Sequence, residues 1–499
     1  MVGDEKVNSG DYKAIRMKKV EQLKKLGMIP FAERFDRTHY LADAQKLPDG
    51  SSDVSLAGRV VGMRRMGNLT FATLHDYTGR VQVAFNKKEL GDDIYKMLVT
   101  KIIDVGDFIG CSGEMFTTKT KEKTLRVKQT TFLSKAFRPL PEKYHGINDV
   151  ELCYRQRYLD LIMNEETLSR FKIRTKIVKE IRTFLEQHKF VEVETPALCN
   201  MASGAMARPF STHHNALDID VYLRIAPETY LKRLIAGGYD RIYEFARCFR
   251  NEGISATHLQ DFTMLECYAA YWNFADNMKF TKQLIQTVLD SVFGSQVVVV
   301  NGDKIDFSGE WPTVSFVDLI KKDCGIDLHE YENANDLRKV IIKNNILLNV
   351  NNFESMTYGN LVDNLYKKVS RPKMVCPIFL TEHPIETSPL SRRNDINQKI
   401  ADRYQLVVNG VEVINAYSEL IDPIEQEARL REQLVSKGRD ETMPLDFDFI
   451  KCMEYGMPPM SGWGLGIDRF CQLLCSCENI RDVVWFPLMR PVFVSGQQD

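Results

Sequence analysis

The sequence predicts an α+β protein of more than one domain: a small β-barrel near the N-terminus, then a larger body of antiparallel hairpins and helices. Three observations carry this. Residues 54 to 137 are short strand-like runs cut by turn signals. Arg241 to Asn273 and Arg403 to Ile421 each read as two β-runs joined by a turn. Ahead of them, from Arg170 to Leu198, helical spacing of Phe171, Ile173, Ile177, Ile181, Phe184 and Leu185 runs into a strand, Phe190 to Glu194, ended by Pro196. At 499 residues the chain is too long for one ordinary core.

Composition narrows the class. Hydrophobic residues at 44% and charged residues at 27% are normal for a globular protein. With a net charge of −1, any nucleic-acid surface has to be a local patch. The eleven cysteines are scattered and include no C-x-x-C pair, so buried reduced thiols are expected in place of a zinc site. No apolar run approaches the ~18 residues of a membrane span. The N-terminus is polar without a signal-like apolar stretch, and the cytoplasm is the expected location.

In chain order, residues 11 to 26 have helical spacing with apolar Ile15, Val20, Leu23 and Leu26 and a basic face that includes Arg16, Lys19 and Lys24. That face is either solvated or a contact for RNA backbone. Strands are expected at Val54 to Met63, Leu69 to Leu74, Arg80 to Phe85, Asp107 to Phe116 and Thr124 to Leu133, with a helix near Asp92 to Lys101. Five strands with a helix after the third outline an OB barrel, a fold that stacks single-stranded bases on aromatics. A proline-spaced linker follows, Arg138-Pro139-Leu140-Pro141-Glu142. Later, His213 and His214 are adjacent, whereas metal pairs on a strand sit two apart, which argues against a metal there. Glu228 follows Pro227 in a first helical turn, where an acid meets the helix dipole favourably. Residues 275 to about 370 read as a helical insertion.

The central hairpin carries the chemistry. Residues two apart on a strand share a face, so Arg250 and Glu252 point one way, as do Phe262, Glu266 and Tyr268. Such a face offers an aromatic platform for a base, a guanidinium for phosphate, and carboxylate and phenol groups for a second ligand. The second hairpin turns at Asn409-Gly410 and places Asn415, Tyr417 and Glu419 on one face. Glu412 has the opposite parity, so a bulge or twist is needed to aim it at the same ligand. Near the C-terminus, Gly462-Trp463-Gly464-Leu465-Gly466 leads into an apolar helix carrying Arg469. Its G-x-G-x-G spacing is not that of a dinucleotide fingerprint.

The order F-R-N-E-G-x-x-x-x-H-x-x-x-F-T-x-x-E from Phe249 to Glu266 resembles motif 2 of the class II aminoacyl-tRNA synthetases. The helix and strand ended by Pro196 resemble motif 1, and the glycine run with Arg469 resembles motif 3. ARPFSTHHNALD, RIAPE and TEHPIETSPL are similar to the lysine enzymes of that class, which share a subgroup with the aspartate and asparagine enzymes. The resemblance implies an OB-fold anticodon-binding domain at 51–138, preceded by a basic helix and lead-in at 1–50. After a linker at 139–150 it implies a class II catalytic domain at 151–499, built on an antiparallel sheet flanked by helices.

It further implies ATP-binding by Arg250, Glu252, His258, Phe262, Glu412 and Arg469, with Arg250, Arg469 and Glu412 catalytic and Glu412 on Mg2+. Lysine-binding falls to Gly204, Glu228, Glu266, Tyr268, Asn415, Tyr417 and Glu419, and anticodon-binding to Phe71 and Gln82. The expected reaction joins L-lysine to ATP as lysyl-adenylate and then moves lysine to the 3′ end of its tRNA, in a homodimer without membrane contact. Two departures touch these roles. Gln405 stands where many relatives have a second metal-binding glutamate, and Leu259-Gln260-Asp261 replaces their usual Asn-Pro-Glu.

The residue chemistry agrees with that substrate. A buried ammonium needs carboxylates, and Glu228, Glu266 and Glu419 converge from three segments. An aspartate site would instead want arginine or lysine opposite its substrate. The alternatives are therefore an aspartate or asparagine enzyme, opposed by the acidic pocket, or an inactive synthetase-like RNA-binding protein, opposed by intact Arg250, Glu252, Glu412 and Arg469.

Overall fold

The computed structural model describes residues 9–141, 147, 149–201, 204, 207–300, 302–331, 333–348, 350, 353–436 and 446–492. Much of the expected linker, 142–146 and 148, lies outside the described residues. The chain forms two compact units, Met1–Asn148 and Asp149–Asp499.

In the first unit, helix α1 (Ser9–Lys25) precedes five strands: β1 (Val54–Met66), β2 (Leu69–His75), β3 (Arg80–Asn86), β4 (Phe108–Thr117) and β5 (Lys123–Ser134). They close into a barrel in the order β1-β2-β3-β5-β4. Strand alternation builds its core: Thr70, Ala72 and Leu74 of β2 point inward, and Leu69, Phe71 and Thr73 lie on the other face. The helix expected after the third strand is real but irregular. Its wide turns at Tyr95–Ile102 bring Tyr95, Leu98, Val99 and Ile102 into the barrel core.

Helix α1 departs from the expected pattern. Val20 and Leu23 are buried, but Ile15 and Leu26 are exposed. The docked face instead includes Arg16, whose guanidinium donates to the carbonyls of Val105, Ala136 and Arg138 at 2.9–3.2 Å. Lys19 is paired with Asp104 at 2.7 Å. Two of the helix's cations therefore hold it to the barrel, and a backbone contact with RNA would fall to exposed Lys13, Lys18, Lys24 and Lys25.

In the second unit, strand β6 (Val191–Glu192) follows helix α2 (Glu165–Gln187), and helix α3 (Glu228–Ala236) leads to the hairpin β7 (Arg241–Phe249) and β8 (Asp261–Ala270). Helix α4 (Phe274–Phe293) comes next, started by an Asn273–Asp276 capping box. Strands β9 (Thr313–Ser315), β10 (Ile378–Pro384), β11 (Ile400–Val408), β12 (Val411–Ser418) and β13 (Met460–Gly466) complete an eight-stranded sheet, and helix α5 (Ile467–Leu474) follows it. The strand order is β9-β10-β11-β12-β13-β8-β7-β6. All neighbours are antiparallel except the two edge pairs, β9–β10 and β6–β7. The turn between β11 and β12 has φ of 49° at Asn409 and 66° at Gly410, the left-handed pair that a tight hairpin requires.

The insertion is narrower than expected. Phe280, Leu284, Ile285, Val288 and Leu289 of α4 belong to the main core with the sheet and α2. A separate core forms later, around Phe316, Ile320, Leu337, Ile341, Leu361 and Leu365. Helical spacing alone cannot say which core a helix joins.

Because Arg16 satisfies three backbone carbonyls, Arg16→Ala is expected to lower the stability of the barrel unit by about 1–3 kcal/mol. Thermal or urea unfolding measures this. An unchanged unfolding midpoint with weaker RNA binding would return Arg16 to the RNA-contact reading.

Candidate active site

Three neighbouring strands make the floor of a cavity of about 500 Å³. Strand β13 runs in the middle, with Gly462 in register with Tyr268 on one side and Tyr417 on the other, and Gly464 between Glu266 and Asn415. The missing side chains are what opens the trough. A Cβ at Gly462 would lie 2.3 Å from the Tyr268 ring and 2.6 Å from Glu419 Oε1, and one at Gly464 would lie 2.8 Å from Glu266 Oε1. In the fold these glycines make room for the acids. Gly204 plays a similar part at the wall. It sits at φ +89°, and a Cβ there would be 3.2 Å from Glu228 Cβ. Its neighbours Ser203 and Ala205 lie outside the described residues.

One end of the cavity is acidic. Glu228 of α3 and Glu266 of β8, 5% and 8% exposed, line it. Glu419, 2% exposed and just past β12, lies against Gly462 beside them, so the three separate segments do converge. Tyr417 donates to Glu228 Oε1 at 2.6 Å, and Tyr268 to Glu266 Oε2 at 3.3 Å. Lys232, which the sequence reading left out, is fully buried here, 2.6 Å from Glu228 Oε1 and 2.5 Å from Glu419 Oε2. Its desolvation is outweighed by those two carboxylates, so the ammonium is held above its ordinary range. The i, i+4 spacing of Glu228 and Lys232 on α3 was the available signal. Glu266 has no cation within ion-pair distance among the described residues. Burial, with the charge of Glu228 added, pushes its carboxyl up to about 8. Burial likewise pushes Glu419 up to about 8 against the pull of Lys232, so three carboxyl groups share one ammonium.

The other end is cationic. Arg250, just beyond β7, lies with its guanidinium carbon 5.1 Å from the centre of the Phe262 ring. Its Nε is buried and has no acceptor among the described residues. Arg469 stands on α5 and donates to the Thr257 carbonyl at 3.1 Å. Partial burial, with the charges of Arg469 and Arg371 added, holds the His258 ring below its ordinary pKa. Glu252 and His258 both line the cavity from the hairpin loop. The unusual Leu259-Gln260-Asp261 segment is itself tied down: Gln260 donates to the Glu252 carbonyl at 3.0 Å, and Asp261 pairs with Arg247. An aromatic ring, two guanidiniums and a neutral histidine can receive a planar base and an anion.

Between the two ends lies the second hairpin. Pairing slips between Leu406–Ile414 and Val407–Glu412, leaving Val413 as the extra residue of a bulge. That slip turns Glu412 onto the face of Asn415 and Tyr417, resolving the parity conflict. Gln405 donates from Nε2 to Glu412 Oε2 at 2.8 Å. Arg403, also missed from sequence, donates to Asn415 Oδ1 at 2.8 Å and to the Thr387 carbonyl and Ser388 Oγ. Because arginine can only donate, Asn415 keeps its oxygen on Arg403 and its NH2 for the cavity.

Phe71 and Gln82 lie elsewhere, on the barrel. Thr73 pairs with Gln82 and Phe71 with Ala84, so the two are diagonal neighbours on the outer face. Phe71 is half-buried and outside the barrel core. Gln82 donates to Thr124 Oγ1 at 2.8 Å, and Arg64 reaches its oxygen at 3.4 Å. His213 has no metal-like partner set; its ring meets Asp218 and Asp220 on an exposed strand. No group of three or more metal-binding side chains occurs among the described residues.

Comparison with known proteins gives a consistent result. The model of class II tRNA synthetases (D, K and N) matches residues 149–490, and that of the OB-fold nucleic acid binding domain matches 54–133. The lysine–tRNA ligase of Pediococcus pentosaceus is 42% identical, over 97% of this chain and 98% of its own length. That of Enterococcus faecalis is 41% identical, over 96% and 97%. That of Pelotomaculum thermopropionicum is 42% identical, over 96% and 94%. With its sheet, its acidic and cationic ends and its barrel accounted for, the chain belongs to the D, K and N family of class II tRNA synthetases.

Proposed function

We propose that the chain is a lysine–tRNA ligase, which makes lysyl-adenylate and pyrophosphate from L-lysine and ATP and then charges lysine tRNA. The observation that carries this is the surplus of carboxylates over cations in the buried end of the cavity. Lysine brings two ammonium groups to a place that water cannot solvate and three acids surround. An aspartate or asparagine side chain would meet acids that repel it or leave them unpaired.

In this reading Glu228, Glu266, Glu419, Tyr268 and Tyr417 hold lysine, with Gly204 giving it backbone room, and the Asn415 NH2 donates to its carboxylate side. Phe262 stacks the adenine, Glu252 and His258 bind ATP from the loop, and Arg250 and Arg469 meet phosphate. The lysine carboxylate then attacks the α-phosphate while the guanidiniums stabilise the charge that gathers on the phosphoryl oxygens. No protein nucleophile is needed. Glu412 is the residue that would hold Mg2+. With one oxygen on Gln405 and no group of three metal-binding side chains among the described residues, Glu412 would supply a single carboxylate. Phosphates and water fit the rest of such an ion's ligands, and the ion would neutralise phosphate charge.

The barrel unit is proposed to read the anticodon, with Phe71 stacking a base and Gln82 contacting a base edge. Exposed Val191 and Leu198, on the segment resembling motif 1, suit a homodimer contact. No described helix is long and apolar enough to cross a membrane, and a cytoplasmic location is proposed.

ATP–pyrophosphate exchange with each amino acid in turn tests the assignment: exchange should depend on lysine, and dependence on aspartate or asparagine would overturn it. Arg250→Ala should cut exchange by about 10²–10³-fold with the melting curve intact. Near-normal exchange would remove Arg250 from the phosphate site.

Glu266 supplies a pH test. Its raised carboxyl keeps a proton in the folded chain that the unfolded chain has lost, so folding stability falls as pH rises from 4.5 toward about 8. Binding a cation favours the ionised form and releases that proton. Lysine affinity should therefore rise as pH approaches 8, with proton release measurable by calorimetry in buffers of different ionisation enthalpy. Glu266→Gln should remove its share of the release; an unchanged release would place the titration elsewhere.

For the barrel, Phe71→Ala should weaken tRNA charging by a stacked base, about 1–3 kcal/mol, while exchange and melting stay normal. Parallel loss of all three would make Phe71 a structural residue.

A further inference from the structure

The buried lysine beside the acidic end of the cavity has no part in the reaction described above, yet it sits between two of the acids of the proposed amino-acid site. Lys232 is 0% exposed and touches the two acids that come from different elements, Glu228 of α3 at 2.6 Å and Glu419 at the end of β12 at 2.5 Å. Its ammonium also lies 5.6 Å from the Tyr417 ring and 5.8 Å from that of Phe449. Tyr417 in turn donates to the same Glu228 oxygen that Lys232 holds.

Without the ammonium that both of them contact, the two buried side chains lose their shared partner and one would swing away. A swung one no longer aims at a substrate ammonium. The gap would also become the strongest cation site in the pocket, able to draw a substrate ammonium too deep to leave the carboxylate in line with ATP. We propose that Lys232 is a positioning residue for amino-acid selection: a built-in ammonium that holds Glu228 and Glu419 together and fills the site between them so that the substrate's own ammonium groups must bind in front of it. This rests on the lysine-activating reading above.

The test is chemical rescue. In Lys232→Ala, the KM for lysine in pyrophosphate exchange should rise at least tenfold while the KM for ATP changes little. Added propylammonium should restore the lysine KM toward the original value, whereas 1-propanol, of similar size but neutral, should not. In the unsubstituted enzyme the same amine should give no stimulation. Lys232→Met, which keeps the bulk without the charge, should show the lysine KM defect and no rescue, because its side chain fills the space.

Equal rescue by propanol and propylammonium, or a folded Lys232→Ala with unchanged lysine kinetics, would overturn the proposal. Failure of both variants to fold would make Lys232 a stability residue and overturn it as well. Absence of lysine-dependent exchange in the unsubstituted enzyme would instead defeat the ligase reading itself, so the two failures are distinct.

Discussion

A surplus of buried carboxyl groups over cations is the constraint on which the rest of the site depends. Carboxylates buried without enough cations are costly, and a protein keeps them only where a partner is expected to arrive. Much of the surrounding structure serves to keep Glu228, Glu266 and Glu419 in place. Tyr268 and Tyr417 donate to two of them. Lys232 bridges two, and the glycines of β13 clear the volume that they occupy. The sheet is the rigid part that makes such placement reproducible, since each strand's register fixes which side chains meet across it.

The second feature is polarity along the cavity. Acids cluster at one end and Arg250 and Arg469 at the other, with Glu412 and Asn415 between them on a single bulged strand. The ammonium groups of lysine are attracted, in the proposed reaction, to one end and the triphosphate of ATP to the other, so that the carboxylate and phosphate that must react meet in the middle. In the proposed reaction this positioning supplies much of the catalysis, because neither step needs a covalent intermediate on the protein.

Much of this was legible beforehand, for reasons that differ from element to element. The five barrel strands fall close to their expected bounds because alternation and turn residues are local signals. Phe262, Glu266 and Tyr268 do share the cavity, because period-two alternation holds wherever a strand is regular. Glu412 shows the limit. Its parity is wrong in the sequence and right in the fold, and the single extra residue at Val413 makes the difference. Helix α1 failed differently: its apolar spacing named Ile15 and Leu26, but the helix turned Arg16 and Lys19 toward the barrel, where carbonyls and Asp104 awaited them.

The sequence by itself determined the α+β class, the barrel, the two hairpins and the residue types able to bind an ammonium, a base and a phosphate. These follow from periodicity, turn chemistry and a long ordered motif, all of which act over short stretches of chain. Only the tertiary structure decided that Lys232 lies among the acids, that Arg403 orients Asn415, and that Gly462 and Gly464 exist for the sake of side chains on neighbouring strands. Those facts depend on the order β12-β13-β8 and on how α3 packs beside it. Strand order is set by long-range pairing that no local pattern encodes.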